Sequence, residues 1–199
     1  TSDLFAAVPA LPENATGGSR EMRLIDAIHD GLKESLALWP ELVYMGQDIG
    51  PYGGVFKATE GLADLFGSNR VRNTPLCESA IVGASLGWSI AGGKAMMEMQ
   101  FSDFVTTGFN QIVNNLAKLH WRWGQAVDVV VRMPTGAGVA AGPFHSQSTE
   151  AWFTHVPGLK VVYPAFPGEA KGLLMASFNE PNPVLFFEHK AMYRTVREE

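Results

Sequence analysis

The chain has 199 residues, 46% of them apolar and only 18% charged, with a formal net charge of −5. That length can bury a core of its own. The charges form no acidic or basic block that would recommend nucleic acid or anionic lipid, and no run of ~18 apolar residues offers a membrane span. Cys77, the single cysteine, excludes an internal disulfide and fits a reducing compartment.

Residues 1–20 carry Ala, Pro, Gly and Asn without the basic start and apolar core of a signal peptide, and read as a linker or N-terminal arm. Residues 21–199 are expected to form one domain, cut from a longer polypeptide. Apolar residues at Leu24, Ile25, Ile28, Leu32 and Leu36 predict a helix from Met22 to Leu38, ended by Pro40. Leu42–Gly46 reads as a buried strand, Tyr52-Gly53-Gly54 as a loop, and Thr59–Phe66 as a short helix capped by Gly67. A strand over Arg70–Thr74 stops at Pro75. A helix rich in Gly, Ala and Ser follows over Glu78–Ala91, then a strand over Ala95–Met99 and a long helix over Asp103–Trp121. Strands are expected over Asp128–Met133, Lys160–Tyr163 and Val184–Phe187, with a helix over Pro167–Phe178 between the last two. Six apolar strands joined by helices imply an α/β fold: a mostly parallel six-stranded sheet with helices on both faces. Low charge together with five Trp and eight Met suggests a surface covered by a partner, although a large core gives the same composition.

The chemistry concentrates in a few places. From Glu78 to Gly93 there is no second acid and no base, so Glu78 stands alone at the mouth of a small-residue helix. It is either a satisfied helix cap or a group kept for chemistry. The run Gly83-Ala84-Ser85-Leu86-Gly87 matches the serine-hydrolase pattern, but Ser85 falls inside a helix and not on the sharp turn after a strand that a nucleophile needs. Gly136-Ala137-Gly138 follows a strand and leads to Gly142-Pro143-Phe144-His145. It fits neither the dinucleotide nor the phosphate-loop spacing. It is nevertheless a loop at the carboxyl end of a parallel strand, where such sheets bind ligands, and a histidine there can move protons near neutral pH. A structural histidine is the alternative. His120, His145 and His155 lack zinc-ligand spacing.

Taken together, Gly46-Gln47-Asp48-Ile49-Gly50, Gly53-Gly54-Val55-Phe56, Asn73-Thr74-Pro75-Leu76-Cys77-Glu78, Phe101-Ser102-Asp103-Phe104, Gln111-Ile112-Val113-Asn114, His145-Ser146-Gln147-Ser148, Pro157–Val162 and Ala170–Leu174 are collinear over residues 22–194. They resemble the pyrimidine-binding domain of the beta subunit of thiamine-diphosphate-dependent 2-oxo acid dehydrogenases, of the transketolase-like superfamily. Asn-Thr-Pro-Leu-Cys-Glu and Phe187-Glu188-His189-Lys190 lean toward the branched-chain members.

The resemblance implies a thiamine-diphosphate-binding fold and a role for each matching residue. Glu78 falls on the glutamate that hydrogen-bonds the aminopyrimidine ring, Phe104 on the aromatic packed against it, and His145 on the histidine facing the reacting carbon. A potassium ion is expected on main-chain carbonyls near Val129, Ser177, Glu180 and Asn182. Gln47 and Asn110 depart from acidic residues common at those positions. No Gly-Asp-Gly followed by a distant Asn is present, so magnesium and the diphosphate are expected on an alpha subunit or domain. Also expected are a carboxy-terminal beta domain, a lipoyl-bearing acyltransferase as acceptor, a homodimer of this domain, and a bacterial cytoplasmic or mitochondrial matrix location. The competing readings are a serine hydrolase using Ser85 and a non-catalytic structural relative.

Overall fold

A computed structural model of the chain describes residues 20–199, so all but the last residue of the expected arm lies outside the described residues. Six strands form the main sheet: β2 (Leu42–Gly46), β3 (Val71–Asn73), β4 (Lys94–Glu98), β5 (Val129–Thr135), β6 (Lys160–Val162) and β7 (Val184–His189). Their spatial order is β3-β2-β4-β5-β7-β6, and every pairing is parallel. Parallel strands need crossovers, and helices supply them on both faces.

The period-two alternation sends neighbouring residues to opposite cores. Tyr44, Met96, Val130 and Phe186 pack with Ile28, Leu32 and Leu36 of α1 (Leu24–Leu38) and with Ala170, Leu174 and Phe178 of α7 (Pro167–Phe178). Val43, Met45, Met97, Val131 and Leu185 pack instead with Ile81, Val82 and Leu86 of α3 (Glu78–Ile90) and with Val105, Ile112 and Leu116 beyond it. The central strands are buried on both sides, so they read as apolar runs.

Several expected boundaries move for identifiable reasons. Met22–Arg23 is not helical: it forms β1, paired antiparallel with β8 (Arg197–Glu198), and α1 starts two residues later. Thr59 is held out of a helix because its hydroxyl donates to the Ile49 carbonyl at 2.9 Å, leaving α2 as Leu62–Phe66. Gly67 follows α2 at φ +83, and its N–H bonds the Ala63 carbonyl, as a terminating glycine should. The long helix expected after Asp103 is a composite. A 3₁₀ turn at Ser102–Phe104 leads into α4 (Val105–Asn110), a π-helical stretch at Gln111–Leu116 and α5 (Ala117–Trp123). Single π segments inside helices frequently accompany functional sites. A short helix α6 (Ala151–Thr154) precedes β6 and was not legible in the pattern.

Under the carboxyl end of the sheet lies a buried ionic cluster. Arg132 of β5 donates to Glu98 of β4, and at 2.5 and 2.6 Å to Glu188 of β7; the Tyr193 hydroxyl donates to Glu188 at 2.5 Å. Arg132 is 1% exposed and Glu188 fully buried.

Candidate active site

Glu78 is the first residue of α3, and Cys77, with φ −162 and ψ 63, holds the N-cap position. Glu78 is therefore not the cap. It is 7% exposed, and its Oε2 accepts the Thr107 hydroxyl at 3.2 Å from α4. A carboxylate at the first turn is favoured by the helix dipole. Here it also reaches across to a neighbouring helix and not back onto its own backbone, which favours the second of its two readings.

Thr107 also lies 2.8 Å from the Phe104 carbonyl. This ties the Glu78 corner to an aromatic corner. The rings of Phe101 and Phe104 meet at 5.6 Å, edge to face. His145 stands edge to face to both, 4.7 Å from Phe101 and 5.5 Å from Phe104.

The glycine-rich loop brings His145 there. Gly136 has φ +78, and its N–H donates to the Gln147 carbonyl at 2.9 Å. Gly142, at φ +76, starts a one-turn 3₁₀ helix over Pro143–His145. Non-glycine residues disfavour both conformations. The segment is clamped from below: Asp103 Oδ1 accepts the Gln147 N–H at 3.0 Å, and Thr135 Oγ1 donates to the Gln147 carbonyl at 3.2 Å. The buried Nδ1 of His145 has no hydrogen-bond partner, and neither do Asp103 Oδ2 and Lys190 Nζ. Orphaned buried polar atoms are few in native proteins, and several at one corner point to a ligand or partner group.

The sequence names Glu78, Phe104 and His145, and the fold brings them together at the carboxyl end of the sheet. The sequence matches include Phe101, Asp103 and Lys190 without a catalytic or binding role for them, and miss Thr107. Thr107 carries no periodic or motif signal; its part depends on where α4 crosses α3.

Ser85 is fully buried in the middle of α3, and its hydroxyl donates to the Ile81 carbonyl at 2.9 Å. That is a packed helix serine with no nucleophile geometry. Val129, Ser177, Glu180 and Asn182 lie at the opposite, amino end of the sheet, where β5 and β7 begin and α7 ends. There Glu180 N–H donates to the Ser177 carbonyl at 3.4 Å. The Glu180 carboxylate meets Lys160 at 2.5 Å and the Asn182 amide at 2.7 Å. Among the described residues no group of three or more His, Cys, Asp or Glu side chains could hold a metal ion. No helix among them is long and apolar enough to cross a membrane.

A doubly covered parallel sheet with a buried carboxylate, an aromatic corner and a histidine at the carboxyl ends of its strands is an α/β domain of the class that binds small molecules at that end. The chain belongs to the transketolase pyrimidine-binding domain family, which it matches over residues 20–196. It is 46% identical over 190 residues to the mitochondrial 2-oxoisovalerate dehydrogenase subunit beta 2 of Arabidopsis thaliana, covering 94% of this chain and 53% of that protein. It is 46% identical over 180 residues to the 2-oxoisovalerate dehydrogenase subunit beta of Bacillus subtilis, covering 89% and 55%. It is 40% identical over 181 residues to the pyruvate dehydrogenase E1 component subunit beta of Staphylococcus epidermidis, covering 90% and 56%. The chain thus spans about half the length of the curated relatives it matches. The solved structure of a split gene transketolase, an inactive beta4 tetramer, shares the fold with a TM-score of 0.67 at 21% identity, covering 86% of this chain and 51% of that one.

Proposed function

We propose that this chain is the pyrimidine-side half of the decarboxylating component of a 2-oxo acid dehydrogenase, with a branched-chain substrate such as 2-oxoisovalerate favoured over pyruvate. The observation that carries the reading is the buried Glu78 carboxylate, hydrogen-bonded across to Thr107 and joined through Phe104 to the His145 corner. The 2-oxoisovalerate dehydrogenase relatives supply the branched-chain preference.

The donor set fits thiamine diphosphate. Glu78 would hold the aminopyrimidine by sharing a proton with a ring nitrogen, Phe104 would pack on the ring, and the orphaned His145 Nδ1 leaves an open valence beside it. When bound, this cofactor supplies the carbon nucleophile and electron sink for decarboxylation. Glu78 keeps a proton available at its carboxyl oxygen, with Thr107 orienting that oxygen. Phe101 and Phe104 exclude water from the corner, which strengthens polar contacts inside it. His145 moves a proton at the substrate, acting on its carbonyl or in transfer to a lipoyl arm.

Magnesium and the diphosphate belong to an alpha subunit or domain in this reading, with a carboxy-terminal beta domain and a lipoyl-bearing acyltransferase completing the machinery. Leu76, 80% exposed, and Phe144, 74% exposed, flank Glu78 and His145 and would be covered by such partners. The outward side of α3, with Ala80, Ala84, Gly87 and Trp88 exposed, suits close approach of a second copy. Potassium is kept as part of the reading on one ground: the last turn of α7 presents carbonyls at its negative end beside Ser177. A mitochondrial matrix or bacterial cytoplasmic location follows the relatives.

The test uses the full-length protein assembled with its diphosphate-binding partner. Assays with 2-oxoisovalerate and pyruvate should give the higher kcat/KM to the branched substrate. Glu78→Gln should slow proton exchange at the thiazolium carbon at least ~100-fold, a typical loss for an acid–base group. Near-normal exchange in that variant would sink the assignment.

A further inference from the structure

The site as described carries two carboxylates, Glu78 and Asp103, and a 2-oxo acid brings a third. An anion entering such a corner needs a compensating cation. Three observations identify one. Lys190, on the turn that follows β7, is only 5% exposed, yet its ammonium has no hydrogen-bond partner. That ammonium lies over the ring of Phe101, 4.9 Å from its centroid, and the same ring is the one His145 meets at 4.7 Å. No other lysine or arginine among the described residues stacks on these rings: Lys57 lies over Tyr52, Arg70 over Phe66 and Arg122 over Trp123. Arg132, the other buried cation of this region, is held by Glu98 and Glu188.

An ammonium with three donors and no acceptor is costly to bury. Burial pushes the Lys190 ammonium below its ordinary value, and the Asp103 carboxylate works against that fall. Asp103 Oδ1 accepts the Gln147 N–H and Oδ2 stays unpaired, so Asp103 acts on Lys190 by field and not by a closed ion pair. The lysine stem has four carbons and rotates freely enough to carry its charge by several ångströms. A free ammonium under the wall of the site, facing an acid that does not bind it, is a charge kept for an incoming anion.

We propose that Lys190 receives the carboxylate of the 2-oxo acid substrate, with Asp103 setting the strength of that contact; this deepens the proposed function and rests on it. Binding pairs the ammonium with the substrate carboxylate, orients the 2-oxo carbon toward the Phe104–His145 corner, and selects anionic 2-oxo acids against neutral carbonyl compounds. The contact forms with the substrate before any bond breaks, so Lys190 acts in recognition and leaves cofactor activation to Glu78.

The experiment compares a 2-oxo acid with its neutral methyl ester in the assembled enzyme. Lys190→Met should raise KM for 2-oxoisovalerate about 10- to 100-fold, the range for losing a hydrogen bond to a charged group; the ester cannot lose carbon dioxide and is read as a competitive inhibitor, whose inhibition constant should stay unchanged. Lys190→Arg should restore most of the difference. Asp103→Asn keeps an oxygen for the Gln147 N–H while removing the opposing charge, so it should lower KM for the acid. It tests the idea even if Lys190→Met does not fold. Thiazolium proton exchange should be normal in all three. Equal effects on acid and ester, or no effect of either residue on KM for the acid, would overturn the proposal. Loss of the underlying reading would look different: the unmodified assembly would then fail to exchange the thiazolium proton at all.

Discussion

Thr107 stands between two acceptors, the Glu78 carboxylate at 3.2 Å and the Phe104 carbonyl at 2.8 Å, with one hydroxyl proton to give. It can donate to an ionised Glu78. It can equally donate to Phe104 and accept from a protonated Glu78. The residue can therefore serve both protonation states of the carboxyl, which suits the proton-sharing role proposed for Glu78.

Replacing Thr107 by Val keeps the shape and removes both options. Thr107→Val is expected to slow thiazolium proton exchange about tenfold in the assembled enzyme, in keeping with one hydrogen bond to a carboxylate. Cofactor affinity should fall less. Unchanged exchange would mean that the contact is incidental to Glu78.

Most of the sheet was legible because its strands are buried on both faces, which leaves unbroken apolar runs such as Val129-Val130-Val131 between turn signals. The helix over Pro167–Phe178 falls where the pattern puts it. What escaped depended on tertiary partners. The Met22–Arg23 pairing needs Arg197–Glu198 from the other end of the chain, and the π stretch at Gln111–Leu116 has no compositional mark. Glu78 and His145 were visible as exceptions: one acid in an acid-free stretch and one histidine after a glycine loop. Lys190 stood in the Phe187-Glu188-His189-Lys190 match without a role, because what singles it out is its unpartnered ammonium over the Phe101 ring.

The buried cluster beneath the site makes a stability prediction. Arg132→Met should cost about 3–5 kcal/mol, because it leaves Glu98 and Glu188 buried without their cation. Glu98→Gln should cost far less. Burial raises the Glu98 carboxyl above its ordinary value, Arg132 opposes that, and Glu188 adds to it. A group raised in the folded state contributes most below its unfolded value and loses that contribution as pH rises through the folded one. Denaturant unfolding from the acid range to neutrality should therefore show the unmodified chain losing stability relative to Glu98→Gln as pH rises. Parallel curves would contradict this.

The proposed association through the outward side of α3 can be tested directly. Sedimentation at high concentration should show a dimer, and Ala84→Arg, placed among the exposed Ala80, Gly87 and Trp88, should return it to monomer. A monomer at all concentrations would assign assembly to other parts of the full-length protein.

His145 and Glu78 should separate by the step they serve. His145 is held by ring contacts to Phe101 and Phe104 and by the clamp on Gln147, with no hydrogen bond to Glu78. His145→Ala is therefore expected to leave cofactor binding and thiazolium proton exchange near normal, since Glu78 and Thr107 remain in place. Overall turnover should drop roughly 100-fold, the loss of one proton-transfer group. Steady-state assays alone cannot distinguish this from a defect in activation, so exchange and turnover are measured on the same preparation. The Glu78→Gln variant provides the contrast, with both quantities falling together. If His145→Ala abolished cofactor binding while bound cofactor turned over normally, the histidine would be part of the wall that holds the pyrimidine and not a proton carrier. The edge-to-face packing at 4.7 Å against Phe101 would then be its whole contribution.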